Sequence, residues 1–188
     1  AGVYLNSGTK LRMNTQFLYI LTDSESHETL RVALLSDLHV KNSPDAIAEL
    51  AELWSGVIEQ TPDIILLGGD YINDGASNQD IASIGPAIAH IFRASGDIPV
   101  VAVLGNHDHW SGAESWTEYL SEAGVTVLEN ETVVLDAIGT CIRGFGDAFT
   151  DHFEYVDFPS TCADRLKITL THDPAGAFNP KVGGLVLA

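Results

Sequence analysis

The chain has 188 residues, of which 45% are hydrophobic and 19% are charged, with 9 basic against 26 acidic residues and a formal net charge of −17. This composition excludes disordered, collagen-like and coiled-coil chains, and the length fits one domain of ~100–200 residues. The scarcity of Lys and Arg argues against binding of a nucleic-acid polymer or an anionic membrane surface. No signal peptide opens the sequence, and no stretch reaches the ~18 apolar residues of a membrane span. The sequence therefore leaves a cytoplasmic or membrane-associated location open.

Apolar runs divide the chain into strands. Residues 1–30 predict a β-hairpin region, and continuous apolar runs of the kind typical of strands buried on both faces follow it. These runs cover residues 31–36, 63–67, 99–104 and 166–170, and a shorter one covers 185–188. Short strands are predicted at 125–128, 132–135 and 140–143.

Helical patterns separate the first three buried runs. One helix starts at Ser43 with Pro at its first position, and a second is predicted to kink or break at Gly85–Pro86. A third starts at Ser111, where Glu114 completes a capping box, and ends at Gly124. The alternation predicts an α/β layered domain with a partly parallel sheet.

Polar residues follow the buried strands directly. Because ligands of parallel α/β sheets gather outside the carboxyl ends of the strands, we expect these side chains to share one rim. Imidazoles and carboxylates together suit Zn, Mn, Fe or Co, and paired ions ~3.5–4 Å apart can clamp a phosphoryl group. Such ions would supply the positive charge that the side chains lack. The residues are Asp37, His39, Asp70, Asn106, His107 and His172.

The order of these residues carries a family resemblance. Asp37 and His39 form D-x-H, Gly69 and Asp70 form G-D, residues 105–108 form G-N-H-D, and His172 follows a later strand. Over residues 31–188 the chain resembles the calcineurin-like metallophosphoesterases, and residues 143–147 and 172–174 look like their small bacterial membrane-associated branch.

The resemblance implies a four-layer α/β/β/α sandwich with mixed sheets and two divalent ions (Mn, Zn, Fe, Co or Ni). It implies that a metal-bound hydroxide attacks a small phosphorylated substrate, which is a phosphate monoester or diester or a pyrophosphate. Asp37 and His39 would bind the first metal, and Asp70 would bridge both. Asn106 and His172 would bind the second metal.

Further roles concern catalysis and the substrate. His107 would act on the leaving group as a general acid, or stabilise the phosphoryl charge. His109 and Asn106 are expected at the substrate, and His109 and Trp110 could equally belong to an ordinary loop. Asp108 is expected to orient a neighbouring group rather than bind metal. Asp147 fits either the site or a turn.

Two features depart from the family pattern. Asn73, with Asp74 beside it, stands where many members have an Asp that pairs with the catalytic His. The final G-H-x-H motif would follow the strand at 185–188, where the sequence stops. We therefore expect residues 1–188 to be a single domain that lacks its C-terminal part, with impaired activity. Oligomeric state and membrane association of a longer protein stay open, and the alternative function is a non-catalytic scaffold for protein interaction.

The remaining His and Cys residues carry weaker expectations. His27, His90 and His152 lack a strand-end position and are expected at the surface or in helices. Cys141 and Cys162 are expected to be separate structural thiols, with a disulfide as the alternative.

Overall fold

The structure, a computed structural model, describes part of the chain, and the side chains of the first two strands and of residues 78, 176 and 177 are not described. The described residues are 2–6, 11–15, 29–72, 77–178, 181–182 and 184–188. The strands are β1 Gly2–Asn6, β2 Leu11–Thr15, β3 Val32–Leu35, β4 Ile64–Leu67, β5 Val100–Ala102, β6 Thr126–Val127, β7 Glu131–Leu135, β8 Thr140–Gly144, β9 Leu166–Leu170 and β10 Leu185–Leu187. The α-helices are α1 Pro44–Glu59, α2 Asn78–Phe92 and α3 Asn106–Glu122.

The strands form two sheets. The larger has the order β2-β1-β3-β4-β5-β6, in which only the β1–β2 pair is antiparallel. The smaller has the order β10-β9-β8-β7, in which β7 runs antiparallel to β8 and the other pairs are parallel. Every residue of β4 and β5 is buried, as their unbroken apolar sequence predicts.

Two apolar cores hold these layers together. Side chains alternate along a strand, so Ile65 and Leu67 of β4 pack against the helices while Ile64 and Leu66 pack against the smaller sheet. Trp54 of α1 is among the helical residues of the first core. The mixed α/β class with two packed sheets is confirmed. Within the described ranges the layers run helices, sheet, sheet.

α2 continues through Pro86, so the helix does not break at the predicted point. Gly85 is buried, but Pro86 is exposed, as is Ala82 four residues earlier. The carbonyl that proline cannot bond therefore belongs to an exposed residue on the exposed side of the helix.

Among the described residues, no helix has the length and apolar character needed to cross a membrane.

α3 starts at Asn106, five residues before the predicted Ser111. Gly105 is its N-cap, and the Asp108 carboxylate accepts the Gly105 N–H at 2.9 Å. Ser111 lies within the helix, where its hydroxyl donates to the His107 carbonyl at 2.6 Å. Gly112, at φ 140°, kinks the helix one residue later. The predicted start coincides with this kink instead of the cap.

Cys141 and Cys162 form a disulfide, which corrects the expectation of separate thiols. Cys141 lies in β8, and Cys162 ends a 3-10 turn shortly before β9. The parallel pairing of β8 with β9 sets Cys141 opposite Lys167, and this register brings the preceding turn back to β8. Spacing along the sequence does not reveal that approach.

Candidate metal centre

The polar residues predicted at strand ends come together where the two sheets meet. Asp37 and His39 follow β3, Asp70 follows β4, and Asn106 opens α3 just after β5. His172 follows β9 of the smaller sheet. The expectation of one rim is therefore corrected, because β9 pairs with β8 and not with the larger sheet.

Asp70 is the centre of this cluster. Its Oδ2 lies 3.6 Å from His39 Nε2, 3.9 Å from His107 Nε2 and 3.5 Å from His172 Nε2. His39 Nε2 also lies 3.8 Å from Asp37 Oδ1. One ligand atom from each of Asp37, Asp70 and His172 falls within 4.8 Å of the others. These separations suit side chains that surround a cation.

The hydrogen bonding of His172 leaves an electron-pair donor facing the cluster. His172 Nδ1 lies 2.8 Å from the Gly68 carbonyl, which can only accept, so this nitrogen carries the proton. In the neutral ring Nε2 is then unprotonated, and it lies 3.1 Å from Asn106 Oδ1 and 3.5 Å from Asp70 Oδ2. In that neutral form an imidazole nitrogen, an amide oxygen and a carboxylate oxygen converge on one space. Such a donor set fits a divalent cation.

The backbone at three of the predicted ligands is strained. Asp37, His39 and Asp70 have φ angles of 53°, 43° and 56°, in the left-handed region. Such conformations cost about 1–3 kcal/mol each and persist where the surroundings impose them. Here the Asp37 N–H donates to the Gly69 carbonyl at 3.0 Å, and the His39 N–H donates to the Asp70 carbonyl at 2.9 Å. The two loops therefore hold each other in place.

Asp108 fixes the loop that carries Asp70. Its buried carboxylate accepts the N–H groups of Asp70 at 2.7 Å, Tyr71 at 3.0 Å and Gly105 at 2.9 Å. Burial raises the pKa of Asp108 to about 7, although these hydrogen bonds oppose the shift. The bonds join the end of β4 to the start of α3, as expected for a group that orients its neighbours.

The two carboxylates at the centre respond differently to their surroundings. Burial raises the pKa of Asp70, and the charges of His172, His107 and His39 oppose this shift. Hydrogen bonding to His39 lowers the pKa of Asp37, and the Ser36 hydroxyl contributes at 2.7 Å. A bound cation would favour the ionised form of both groups.

The cluster opens into a cleft of about 590 Å³. Two exposed aromatic side chains stand at it: Trp110 is 60% exposed and Phe149 is 70% exposed, with ring centroids 5.7 Å apart. The Trp110 ring also meets the His107 ring at 5.1 Å. The lining residues are Asp37, Asn106, His107, Trp110, Asp147, Phe149, His172, Asp173, Pro174 and Ala188.

Other predicted residues lie elsewhere or have a different setting. His109 is not among the residues that line the cleft; its ring stacks on His152, with centroids 3.9 Å apart. Burial lowers the pKa of His109, and the neighbouring His152 adds to the shift. Asp147 both lines the cleft and bonds the Thr150 N–H at 2.8 Å, so it serves a site position and a turn together. Asn73, Asp74 and His27 lie outside the described residues.

Sequence reasoning did not find Phe149 or the pairing of His109 with His152. Phe149 lies in an irregular segment without periodicity. His109 and His152 are 43 positions apart in the sequence and share no motif. Their contact arises because the segment after β8 folds back over the start of α3.

Comparison with known proteins agrees with this geometry. The profile described as calcineurin-like phosphoesterase matches residues 30–184. The chain belongs to the calcineurin-like phosphoesterase family. Members of this family use divalent metals, and the Asp70 cluster supplies ligand groups of the required kind.

Individual relatives are distant. Phosphodiesterase YaeI of Escherichia coli (strain K12) is 28% identical over 149 residues, which is 77% of this chain and 53% of that protein. An uncharacterized metallophosphoesterase of Aquifex aeolicus (strain VF5) is 26% identical over 160 residues, covering 77% of this chain and 56% of that protein. This calcineurin-like phosphoesterase chain thus spans about half the length of these relatives.

Among solved structures, the crystal structure of Pseudomonas putida nuclease MPE is similar at 14% identity and a TM-score of 0.41. The match covers 74% of this chain and 60% of that chain.

Proposed function

We propose that this chain is a metal-dependent phosphoesterase that hydrolyses a small phosphate monoester or diester, or a pyrophosphate, at the Asp70 cluster. The observation that carries the proposal is the convergence of His172 Nε2 with oxygens of Asn106 and Asp70. Two divalent ions, of Mn, Zn, Fe, Co or Ni, would draw their ligands from Asp37, His39, Asp70, Asn106 and His172. Such ions neutralise phosphoryl charge and lower the pKa of bound water.

Each side chain would have a defined task. Asp70 would be the bridging carboxylate, because among the described residues it alone lies within 4 Å of three imidazole nitrogens. The backbone N–H of His107 donates to Asp70 Oδ1 at 3.0 Å. Asp70 Oδ2 would then be left for the cations. The His107 ring, which lines the cleft, would hold the proton for the leaving group.

The cleft also indicates the kind of substrate. The chain carries a net charge of −17, which disfavours binding of a polyanion. The negative charge of a single phosphate group would be neutralised by the metals. Trp110 and Phe149 offer exposed aromatic faces beside the cluster. A phosphate ester with an apolar or aromatic group fits this combination better than a polar one.

The test uses metal-depleted protein with Mn²⁺ or Zn²⁺ added back and two substrates, p-nitrophenyl phosphate and bis-p-nitrophenyl phosphate. We expect metal-dependent release of nitrophenolate. Asp70→Asn should lower kcat/KM by ~10²-fold or more, which is the size of effect seen when one electrostatic group is removed from an active site. Asp97→Asn, the same change at an exposed loop carboxylate, is the matched control and should leave the rate unchanged.

Absence of hydrolysis with both metals would contradict the proposal and favour the scaffold alternative. An Asp70→Asn variant that retains the wild-type rate would contradict it as well. The melting temperature of each variant shows whether a lost rate reflects unfolding.

A further inference from the structure

The loop of residues 146–154 forms part of the wall of the cleft. Asp147 and Phe149 of this loop line the cleft, and the Phe149 side chain is 70% exposed. The loop lies outside the helices and strands, so its backbone groups need other hydrogen-bond partners. What those partners are decides where the cleft wall stands.

The 146–154 loop is braced from within. The His152 N–H donates to the Asp147 carbonyl at 2.9 Å, and Asp147 Oδ2 accepts the Thr150 N–H at 2.8 Å. A Cβ on Gly146 would overlap the His152 carbonyl oxygen, so the two limbs of the loop lie in direct contact. The loop is therefore one compact unit, and its position depends on what attaches it to the rest of the fold.

Asn130, which lies just before β7, attaches this unit at both ends. Its Oδ1 accepts the N–H groups of Gly146 at 3.0 Å and Glu154 at 2.9 Å, and its Nδ2 donates to the His152 carbonyl at 2.7 Å. Two N–H groups point at one atom of the amide and a carbonyl points at the other, which fixes the amide orientation. A single side chain thus makes three hydrogen bonds to the backbone of the loop.

The backbone of Asn130 allows the role of this side chain to be tested separately. Its φ angle is 56°, in the left-handed region, which Gly and Asn adopt more readily than other residues. Asn130→Gly therefore removes the three hydrogen bonds and leaves the backbone conformation accessible.

We propose that Asn130 is a positioning residue for substrate binding, because it holds the loop that presents Phe149 to the cleft. The inference rests on the proposed phosphoesterase function and assigns the 146–154 loop to recognition of the group that is esterified to phosphate. None of the loop residues is a proposed metal ligand, and Asn130 does not itself line the cleft. Its loss should therefore weaken binding of an aromatic ester and leave the chemical step intact.

The first test measures KM and kcat for bis-p-nitrophenyl phosphate with Mn²⁺ or Zn²⁺ bound. Asn130→Gly should raise KM by ~5-fold, the size expected for loss of one aromatic contact, and change kcat by less than ~2-fold. Asn130→Asp keeps an oxygen for the N–H groups of Gly146 and Glu154 and should recover most of the wild-type KM.

Thr61→Gly is the matched control for this measurement. Thr61 is also left-handed, at φ 49°, and its hydroxyl accepts a hydrogen bond from Arg31 at 2.6 Å. It lies before β4, at the end of the larger sheet opposite the cleft. Its replacement removes a hydrogen-bonded side chain of the same backbone class and should leave KM unchanged.

A double-mutant cycle separates positioning from a general loss of stability. Phe149→Ala alone should raise KM by ~5-fold, and adding Asn130→Gly should raise it no further, because both changes remove the same contact. Independent effects that multiply to about 25-fold would overturn the proposal, as would a wild-type KM in either single variant.

Hydrogen exchange tests the placement of the loop without turnover. Asn130→Gly should speed exchange in peptides covering residues 146–154 by ~10-fold or more, since exchange reports local opening of the backbone. Peptides from α1 should keep their wild-type rates. Unchanged exchange in the loop would contradict the role of Asn130, whereas absence of hydrolysis by the wild type would contradict the phosphoesterase function.

Discussion

Single residues of the Asp70 cluster show why an ion belongs there. When the His172 ring is neutral with its proton on Nδ1, its Nε2 presents an electron pair to the space that Asn106 Oδ1 and Asp70 Oδ2 also face. In a site of low polarity, lone pairs that face one another are unfavourable, and burial already raises the pKa of Asp70. A divalent cation between them turns this repulsion into attraction, so the local electrostatics and the strained backbone favour the same occupant.

A different single-residue feature bears on the substrate. Trp110 is a large, exposed aromatic side chain beside His107, and nothing in the packing of the core requires it there. If an aromatic group of the substrate stacks on it, Trp110→Ala should raise KM for bis-p-nitrophenyl phosphate by ~5-fold, since one such stacking contact contributes roughly 1 kcal/mol. The change in kcat should be small, because the side chain binds ground state and transition state alike.

Phe178→Ala is the matched control for this measurement. Phe178 is 84% exposed and is not among the residues that line the cleft. Its removal should leave KM unchanged. A Trp110→Ala variant with wild-type KM would argue against an aromatic contact at the cleft.

At the scale of elements, two mid-helix glycines have different surroundings, and replacing each with Ala should change the stability of the fold in opposite directions. Gly56 of α1 has no heavy atom within 4 Å of where a Cβ would stand, so Gly56→Ala should stabilise the fold by about 0.5–1 kcal/mol through helix propensity. Gly85 of α2 faces the Tyr119 ring, with Cδ2 at 2.6 Å from that point. Gly85→Ala should therefore destabilise by roughly 1–3 kcal/mol, because the close contact between α2 and α3 would have to open.

Urea denaturation of both variants measures the two free energies of unfolding. Because the two substitutions are chemically identical and both glycines lie inside helices, the comparison isolates packing from propensity. Equal changes for the two variants would show that α2 and α3 are not packed as closely as the structure indicates.

Elements were predictable from sequence where one local pattern decided them. Strand β9 has the bounds that its apolar run predicts, and α1 starts at the predicted cap, since Ser43 Oγ accepts the Ala46 N–H. The start of α3 was missed, because its cap is a glycine backbone held by Asp108, and a Ser-x-x-Glu pattern imitated a cap at the kink. Local sequence signals do not report which N–H groups a distant carboxylate accepts.

For the candidate site too, local sequence patterns were predictive and non-local contacts were not. Strand-end position and residue type identified Asp37, Asp70 and His172, which the structure brings together. That His172 comes from a second sheet depends on the pairing of β8 with β9, which is a non-local choice. The cluster of His109 with Glu129 and His152 depends on the path of the segment between those strands, so no sequence motif predicts it.

At the scale of the whole molecule, the segment between β8 and β9 lines part of the cleft and contacts the start of α3. It supplies Asp147 and Phe149 to the cleft, and its His152 ring stacks on the His109 ring of α3. Buried Arg143 anchors it from β8, donating to the Val156 carbonyl at 2.9 Å and lying over the rings of Phe145 and Phe158. The segment is thus irregular in backbone but fixed at several points.

The disulfide closes most of this same segment into a loop, since Cys141 lies in β8 just before it and Cys162 lies near its end. A cross-link over 21 positions restricts the unfolded chain and should stabilise the fold by about 2–4 kcal/mol. The double variant Cys141→Ala with Cys162→Ala should show this loss in urea denaturation, together with a smaller contribution from lost packing. Reduced wild-type protein, which keeps both sulfurs, separates the two effects, because its loss comes from the cross-link alone. Two free thiols per chain in denatured protein, purified without reductant and titrated with a thiol reagent, would contradict the pairing.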